Sequence, residues 1–210
     1  MADLFRRMEN EGHEQLLISN DRETGMNAII SIHSTVLGPA LGGCRVWPYR
    51  NFDAAVVDAL RLSRAMTYKA AVHGLNLGGG KAVLSLPPGK KTPEILRAFG
   101  RMVDSLAGLY FTAEDVGMSE EDLGIVREVT RYATGISVEA GGGGDPSPWT
   151  ALGVLSGMRA CLGELDQTDS FQGKVVAIQG VGKVGGYLAE HLAAEGAKLI
   201  LADSDKKRAR

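Results

Sequence analysis

Residues 180–185 read Gly-Val-Gly-Lys-Val-Gly, and together with their flanks they restrict the fold more than any other stretch of this 210-residue chain. Ahead of them, residues 174–179 (Lys-Val-Val-Ala-Ile-Gln) read as a buried-type strand. Behind them, residues 184–194 read as a helix, and residues 198–202 (Lys-Leu-Ile-Leu-Ala) as a second strand ending in Asp203. Asp203 stands 203 − 185 = 18 positions past the third glycine. Strand, glycine turn, helix, strand and an acid ~20 residues on is the pattern of the first β-α-β unit of a dinucleotide-binding domain. The first two glycines let the backbone approach a pyrophosphate at a helix N-terminus, and the third lets helix and strand pack. On this reading Gly180, Gly182, Lys183, Val184 and Gly185 cradle the cofactor. Asp203 accepts hydrogen bonds from the adenosine ribose and repels a 2′-phosphate, which favours NAD over NADP. The alternative is a tight strand-to-helix turn without a ligand.

Upstream, strands and helices alternate. Residues 3–11 carry Leu4, Phe5 and Met8 at helical spacing. Apolar, β-branched segments at 15–19 and 28–33 flank the polar turn Asp21-Arg-Glu-Thr-Gly25 and predict a hairpin. A glycine-rich loop at 37–43 leads to a short strand at 45–47, and Asn51 or Asp53 caps a helix that runs to about Lys69. A turn at Gly78-Gly-Gly80 precedes a strand at 82–86, Thr92 to Leu106 reads as a helix with Pro93 in its first turn, and residues 110–113 form another strand. Ser119 with Asp122 resembles a capping box. This alternation predicts an α/β domain whose mixed sheet is largely parallel, with an antiparallel hairpin at one side. Composition shifts at Ala140-Gly-Gly-Gly-Gly-Asp-Pro-Ser-Pro148. The expected organisation is therefore a first domain at 1–140, a hinge at 141–148, and the incomplete start of a Rossmann domain at 149–210.

Several function classes drop out. A formal charge of −2 gives no global field for nucleic acid or an anionic membrane. No apolar run approaches the ~20 residues of a membrane span, the N-terminus lacks the apolar core of a signal peptide, and a cytoplasmic location is the default expectation. Cys44 and Cys161 lie in no metal-ligand spacing and read as reduced thiols, and the four histidines fit core or surface roles better than a metal site. No metal is expected.

Within residues 66–81, Lys69 and Lys81 bracket an apolar, glycine-rich segment, where two cations facing one cleft suit an anionic small molecule. A like charge and desolvation both favour the loss of a lysine proton, so one of the pair is a candidate base. Gly80-Lys81 is no Walker loop, because Leu75 and Ala82 stand where that loop needs glycine and Ser or Thr. Lys69 also fits ordinary dipole compensation at a helix end, and Lys81 a lysine snorkelling from a strand end. Asp115 follows a short strand, the usual place for a catalytic carboxylate in α/β folds; its structural alternative is a turn aspartate.

Gly38-Pro-Ala-Leu-Gly-Gly43, Met66-Thr-Tyr-Lys69, Gly74-Leu-Asn-Leu-Gly-Gly-Gly-Lys81, Thr112-Ala-Glu-Asp-Val-Gly117, Thr134-Gly-Ile-Ser137, Pro146-Ser-Pro148 and the 180–185 fingerprint together resemble the leucine, valine and phenylalanine dehydrogenases of the glutamate dehydrogenase superfamily. The resemblance covers essentially the whole chain and is strongest to the leucine-type branch. It implies NAD-dependent oxidative deamination of an L-amino acid, leucine or another branched-chain one first, to a 2-oxo acid and ammonia. A phenylalanine- or tryptophan-type enzyme of a secondary pathway and a truncated, non-catalytic binding or oligomerising module are the alternatives. Carried over residue by residue, Lys69 binds the substrate carboxylate, and Lys81, at lowered pKa, activates the water that attacks the imine. Asp115 exchanges protons with the amino nitrogen. Gly42 and Gly43 shape the backbone beside the substrate, Leu41 and Ala113 line the side-chain pocket, and Thr150 approaches the nicotinamide end. A catalytic, substrate-binding and oligomerisation role for residues 1–140 and a homo-oligomer are implied, as is further chain beyond residue 210 to complete the cofactor domain. Two departures stand out: Cys44 replaces a threonine, and Asp145-Pro-Ser-Pro-Trp149 replaces an Asn-Pro-Ser-Pro run followed by a small residue.

Overall fold

The computed structural model describes residues 2–139 and 141–208, with the side chains of residues 2 and 3 left aside. Ala140, on which the sequence placed its domain boundary, and Arg210 lie outside the described residues. The chain forms two compact units, Met1–Gly144 and Asp145–Arg210.

The first unit is built on a five-stranded mixed sheet. Its strands are β1 (Gln15–Asp21), β2 (Met26–Ser34), β3 (Ala40–Trp47), β4 (Gly78–Ser85) and β5 (Tyr110–Ala113), in the spatial order β1-β2-β4-β3-β5. β1 and β2 form the expected hairpin, with Asp21 Oδ1 accepting from the backbone N–H groups of Glu23 and Thr24, each at 3.0 Å. β2 also runs antiparallel to β4, whereas β3 is parallel to both β4 and β5. Helix α1 (Ala2–Glu11) precedes the hairpin; α2 (Phe52–Val72), capped by Asn51, connects β3 to β4. α3 (Pro93–Asp104), capped by Thr92, connects β4 to β5, and α4 (Glu120–Arg127) opens with the reciprocal Ser119–Asp122 capping box.

Period-two alternation divides the sheet between two cores. Ile30, Ile32, Ala82, Leu84 and Tyr110 face α3 and α4, packing with Leu96, Phe99, Val103 and Leu123. Ile29 and Val83 face α2, packing with Ala55, Val56, Ala59 and Leu60. Lys81 lies two residues before Val83, so it leaves the sheet on the α2 face, opposite Ser31, whose hydroxyl contacts that of Ser63 on α2 at 2.8 Å.

Two local expectations are corrected. Gly78-Gly-Gly80 is the start of β4 and not a turn; all three residues are buried and paired. A Cβ on Gly79 would sit 2.2 Å from the Thr67 backbone nitrogen, and one on Gly80 would sit 2.6 Å from the Tyr110 ring. These glycines allow a helix and an aromatic ring to close on the strand from opposite sides. Likewise β3 begins at Ala40, well before the expected Arg45, because Gly42 and Gly43 permit close pairing on both edges.

In the second unit, α5 (Ser147–Asp166) carries Pro148 in its first turn, where a missing N–H costs nothing. β6 (Val175–Gln179), α6 (Lys183–Ala194) and β7 (Lys198–Ala202) then form a parallel β-α-β unit. Ala151, Leu155, Phe171, Ile178, Leu188 and Leu192 make its core.

Candidate active site

Lys81 is 6 % exposed on the α2 face of the sheet, so its buried ammonium needs a partner. Asp115 supplies it in an Nζ–Oδ2 ion pair. The carboxylate belongs to the turn after β5, and β3 lies between β5 and β4 in the sheet, so Asp115 must reach across β3. It crosses at Gly43, where a Cβ would stand 2.2 Å from the Glu114 carbonyl oxygen and 2.9 Å from the Asp115 Cβ. The turn is pinned by Val116, whose N–H donates to Asp115 Oδ1 at 2.7 Å and whose carbonyl accepts from Val46 N–H at 2.8 Å. Gly117, at φ 79°, completes the turn in the left-handed region.

Burial is the largest influence on Asp115 and acts to raise its pKa. The hydrogen bond and charge of Lys81, the Val116 N–H and the charge of Arg45 together outweigh it, and the carboxyl titrates below its ordinary range. The neighbouring Cys44 thiol, fully buried, is pushed far up by desolvation and is not a nucleophile at neutral pH. Both cysteines are free.

The structure thus joins Lys81 and Asp115 and sets Gly42 and Gly43 beside them, Gly42 with its carbonyl accepting from the Tyr110 hydroxyl at 2.5 Å. Leu41 and Ala113 are half-buried on the paired strands β3 and β5, Leu41 opposite Phe111 and Ala113 opposite Gly43. Lys69 is exposed in the last turn of α2 and makes no ion pair among the described residues. Its helix end is nevertheless fixed to β4, since Thr67, two residues earlier, abuts Gly79. Sequence reasoning passed over Arg45, Tyr49 and Asp58. Arg45 is half-buried on β3, donates to Asp58 Oδ2 at 2.8 Å and lies 3.5 Å from Asp115. The available signal was the one used for the lysines: a cation directly after Gly42-Gly-Cys44 on a strand.

In the second unit the fingerprint forms a cradle. Gly180 takes φ 93°, and a Cβ on Gly185 would stand 2.0 Å from the Gly180 carbonyl oxygen, so the first and third glycines are required by the backbone itself. At Gly182 a Cβ would meet nothing nearer than 4.0 Å; the space beside this glycine is open. Gly182 is also the N-cap of α6 and offers no side chain to the first N–H groups, leaving them for an anion. Lys183 pairs with Asp145 at 3.2 Å, and Val184 packs into the core of the unit. Asp203 Oδ2 accepts from Val181 N–H at 2.7 Å and Oδ1 from Asp205 N–H at 2.8 Å; these two bonds, the Asp205 one first, keep the carboxyl ionised below its usual range. With roughly four lone-pair sites, the carboxylate retains acceptors for a ribose diol. These residues fit a dinucleotide. Thr150 is exposed on α5, its hydroxyl donating to Pro146 O at 3.0 Å.

A glycine-shaped mixed sheet followed by a fingerprinted β-α-β unit is an architecture that this chain shares with a solved amino-acid dehydrogenase. Residues 13–132 match the family model described as Glu/Leu/Phe/Val dehydrogenase, dimerisation domain, and residues 141–207 that of Glutamate/Leucine/Phenylalanine/Valine dehydrogenase. The chain belongs to this Glu/Leu/Phe/Val dehydrogenase family. It is 53 % identical over 206 residues to the leucine dehydrogenase of Geobacillus stearothermophilus, across 98 % of this chain and 56 % of that one. It is 50 % identical over 193 residues to the valine dehydrogenase of Streptomyces virginiae, across 91 % of this chain and 54 % of the relative. The crystal structure of L-tryptophan dehydrogenase from Nostoc punctiforme superposes with a TM-score of 0.74 at 42 % identity, covering 97 % of this chain and 58 % of that one. The chain thus spans about half the length of the curated relatives it matches. Among the described residues no helix is long and apolar enough to cross a membrane.

Proposed function

We propose that this chain supplies the substrate site and the first part of the cofactor site of an NAD-dependent dehydrogenase that deaminates a branched-chain L-amino acid, leucine first. The observation that carries the reading is the buried Lys81–Asp115 pair, which serves no apolar core and whose two members have complementary proton chemistry. In the reaction an amino acid and water give a 2-oxo acid and ammonium, with one hydride and one proton released. The nicotinamide, when bound, accepts the hydride from the substrate Cα. Lys69 holds the carboxylate, Lys81 takes a proton from the water that adds to the imine carbon, and Asp115 carries protons to and from the departing nitrogen. Leu41 and Ala113 offer apolar walls that suit an aliphatic side chain. Gly180, Gly182, Lys183, Val184, Gly185 and Asp203 hold the dinucleotide, Asp203 selecting NAD over NADP by charge, and Thr150 stands toward the nicotinamide end. The substrate unit doubles as the oligomerisation unit, in keeping with the dimerisation-domain match at residues 13–132, and we read the protein as a cytoplasmic homo-oligomer.

The test is NADH formation from a panel of L-amino acids. The expected order is branched-chain substrates above phenylalanine and tryptophan, with NAD well above NADP. An aromatic preference moves the protein to the tryptophan-type branch, and a chain that neither turns over nor binds any amino acid is the non-catalytic module.

A further inference from the structure

We infer that Arg45 is the positioning residue that holds the Asp115 side chain in place beside Lys81 between its proton transfers, its guanidinium being shared between Asp58 and Asp115. The inference deepens the reading of Lys81 and Asp115 as the reacting pair and rests on it.

Arg45 is pinned at one end and unfulfilled at the other. Its terminal guanidinium nitrogen donates to Asp58 Oδ2 at 2.8 Å. The Tyr49 hydroxyl donates to the same oxygen at 2.7 Å, and Arg61 donates to Asp58 Oδ1 at 2.8 Å, so both oxygens of Asp58 are held. The Arg45 Nε is buried, makes no hydrogen bond, and lies 3.5 Å from Asp115 Oδ2, the oxygen that Lys81 engages. Asp58, Arg45, Asp115 and Lys81 therefore form a row of alternating charge on the α2 face of the sheet.

The row has a kinetic consequence. A base in turnover passes through its neutral form, and at that moment Asp115 loses the ammonium that faces it. Arg45 stays charged throughout, and its unbonded Nε lies 3.5 Å from the carboxylate. The other groups near Asp115 cannot replace it. The Cys44 thiol on β3 and the Tyr110 phenol on β5 are buried and neutral, both held protonated first by desolvation. Tyr49 is spent on Asp58, Lys91 is paired with Asp122, and Glu114, the chain neighbour, carries like charge.

Carbon-13 NMR titration of the Asp115 carboxyl in this chain tests the inference. In Arg45→Gln the midpoint moves up, and in Arg45→Lys it returns toward wild type. In Asp58→Asn it moves down, because a competing carboxylate is gone and the guanidinium is freed for Asp115. The opposite signs separate the proposal from general loosening of the fold, and Asp58→Asn keeps it testable should Arg45→Gln not fold. In the active enzyme Arg45→Gln lowers kcat by roughly 10–100-fold, moves the acid limb of kcat/KM to higher pH, and leaves the KM for leucine near wild type. An Asp115 midpoint unchanged in Arg45→Gln, or raised in Asp58→Asn, overturns the inference. Absence of deamination by the wild type, with the midpoints moving as stated, contradicts the functional reading and leaves the electrostatic coupling established.

Discussion

Lys81→Ala lowers amino-acid turnover by roughly 10³-fold or more, the upper range of what a positioned general base contributes, while NADH affinity stays near wild type. The two parts of the expectation come from different units. Lys81 lies in β4 of the first, and every residue assigned to the dinucleotide lies in the second. The variant is expected to remain folded: although removal of one partner of a buried pair is ordinarily costly, Arg45 is 3.5 Å from Asp115 and the carboxylate keeps the Val116 N–H. Circular dichroism checks the fold, steady-state assays the rate, and fluorescence titration the NADH affinity. Turnover retained in a folded Lys81→Ala protein would remove Lys81 from the role of base. A parallel loss of NADH binding would place the effect outside proton transfer.

Gly42→Ala is expected to give the largest loss of stability of any methyl-sized change near the site. The added Cβ would lie 1.7 Å from the Gly80 carbonyl oxygen, a contact of backbone with backbone that no rotamer can relieve. β3 and β4 would have to separate where Gly42 also accepts from Tyr110. A cost of about 3 kcal/mol, the upper end of ordinary overpacking, corresponds to a fall in Tm of roughly 6–12 °C. Gly124→Ala in α4 is the control, since a Cβ there meets nothing within 4 Å. That change should be neutral to stabilising by up to about 1 kcal/mol, because an exposed helical alanine loses less backbone entropy than glycine. Thermal unfolding of the two variants in one buffer reads both signs.

What could be read in advance depended on whether the cause was local. The Asn51 and Ser119 caps, Pro93 in the first turn of α3, the turn between β1 and β2, and the glycine fingerprint are each set by residues within a few positions of one another. The strand Gly78-Gly-Gly80 was invisible, since glycine carries no period-two signal. It pairs with β2 and β3, and its missing side chains make room for Thr67 and Tyr110, which approach from other parts of the chain. Lys81 and Asp115 could each be singled out, but their contact follows from the strand order β4-β3-β5 and from the missing side chain at Gly43. Arg45 and Asp58 escaped notice because they sit on different elements, and each alone resembles an ordinary surface charge.

In the proposed site the two lysines divide the labour, with Lys69 holding the substrate carboxylate and Lys81 moving protons beside Asp115. Calorimetric titration of leucine into wild type, Lys69→Ala and Lys81→Ala tests it most directly. Lys69→Ala is expected to weaken leucine binding by more than tenfold, the scale of a lost charge-assisted hydrogen bond, and Lys81→Ala to change it far less. Leucine binding that survives Lys69→Ala unchanged and fails in Lys81→Ala would contradict it.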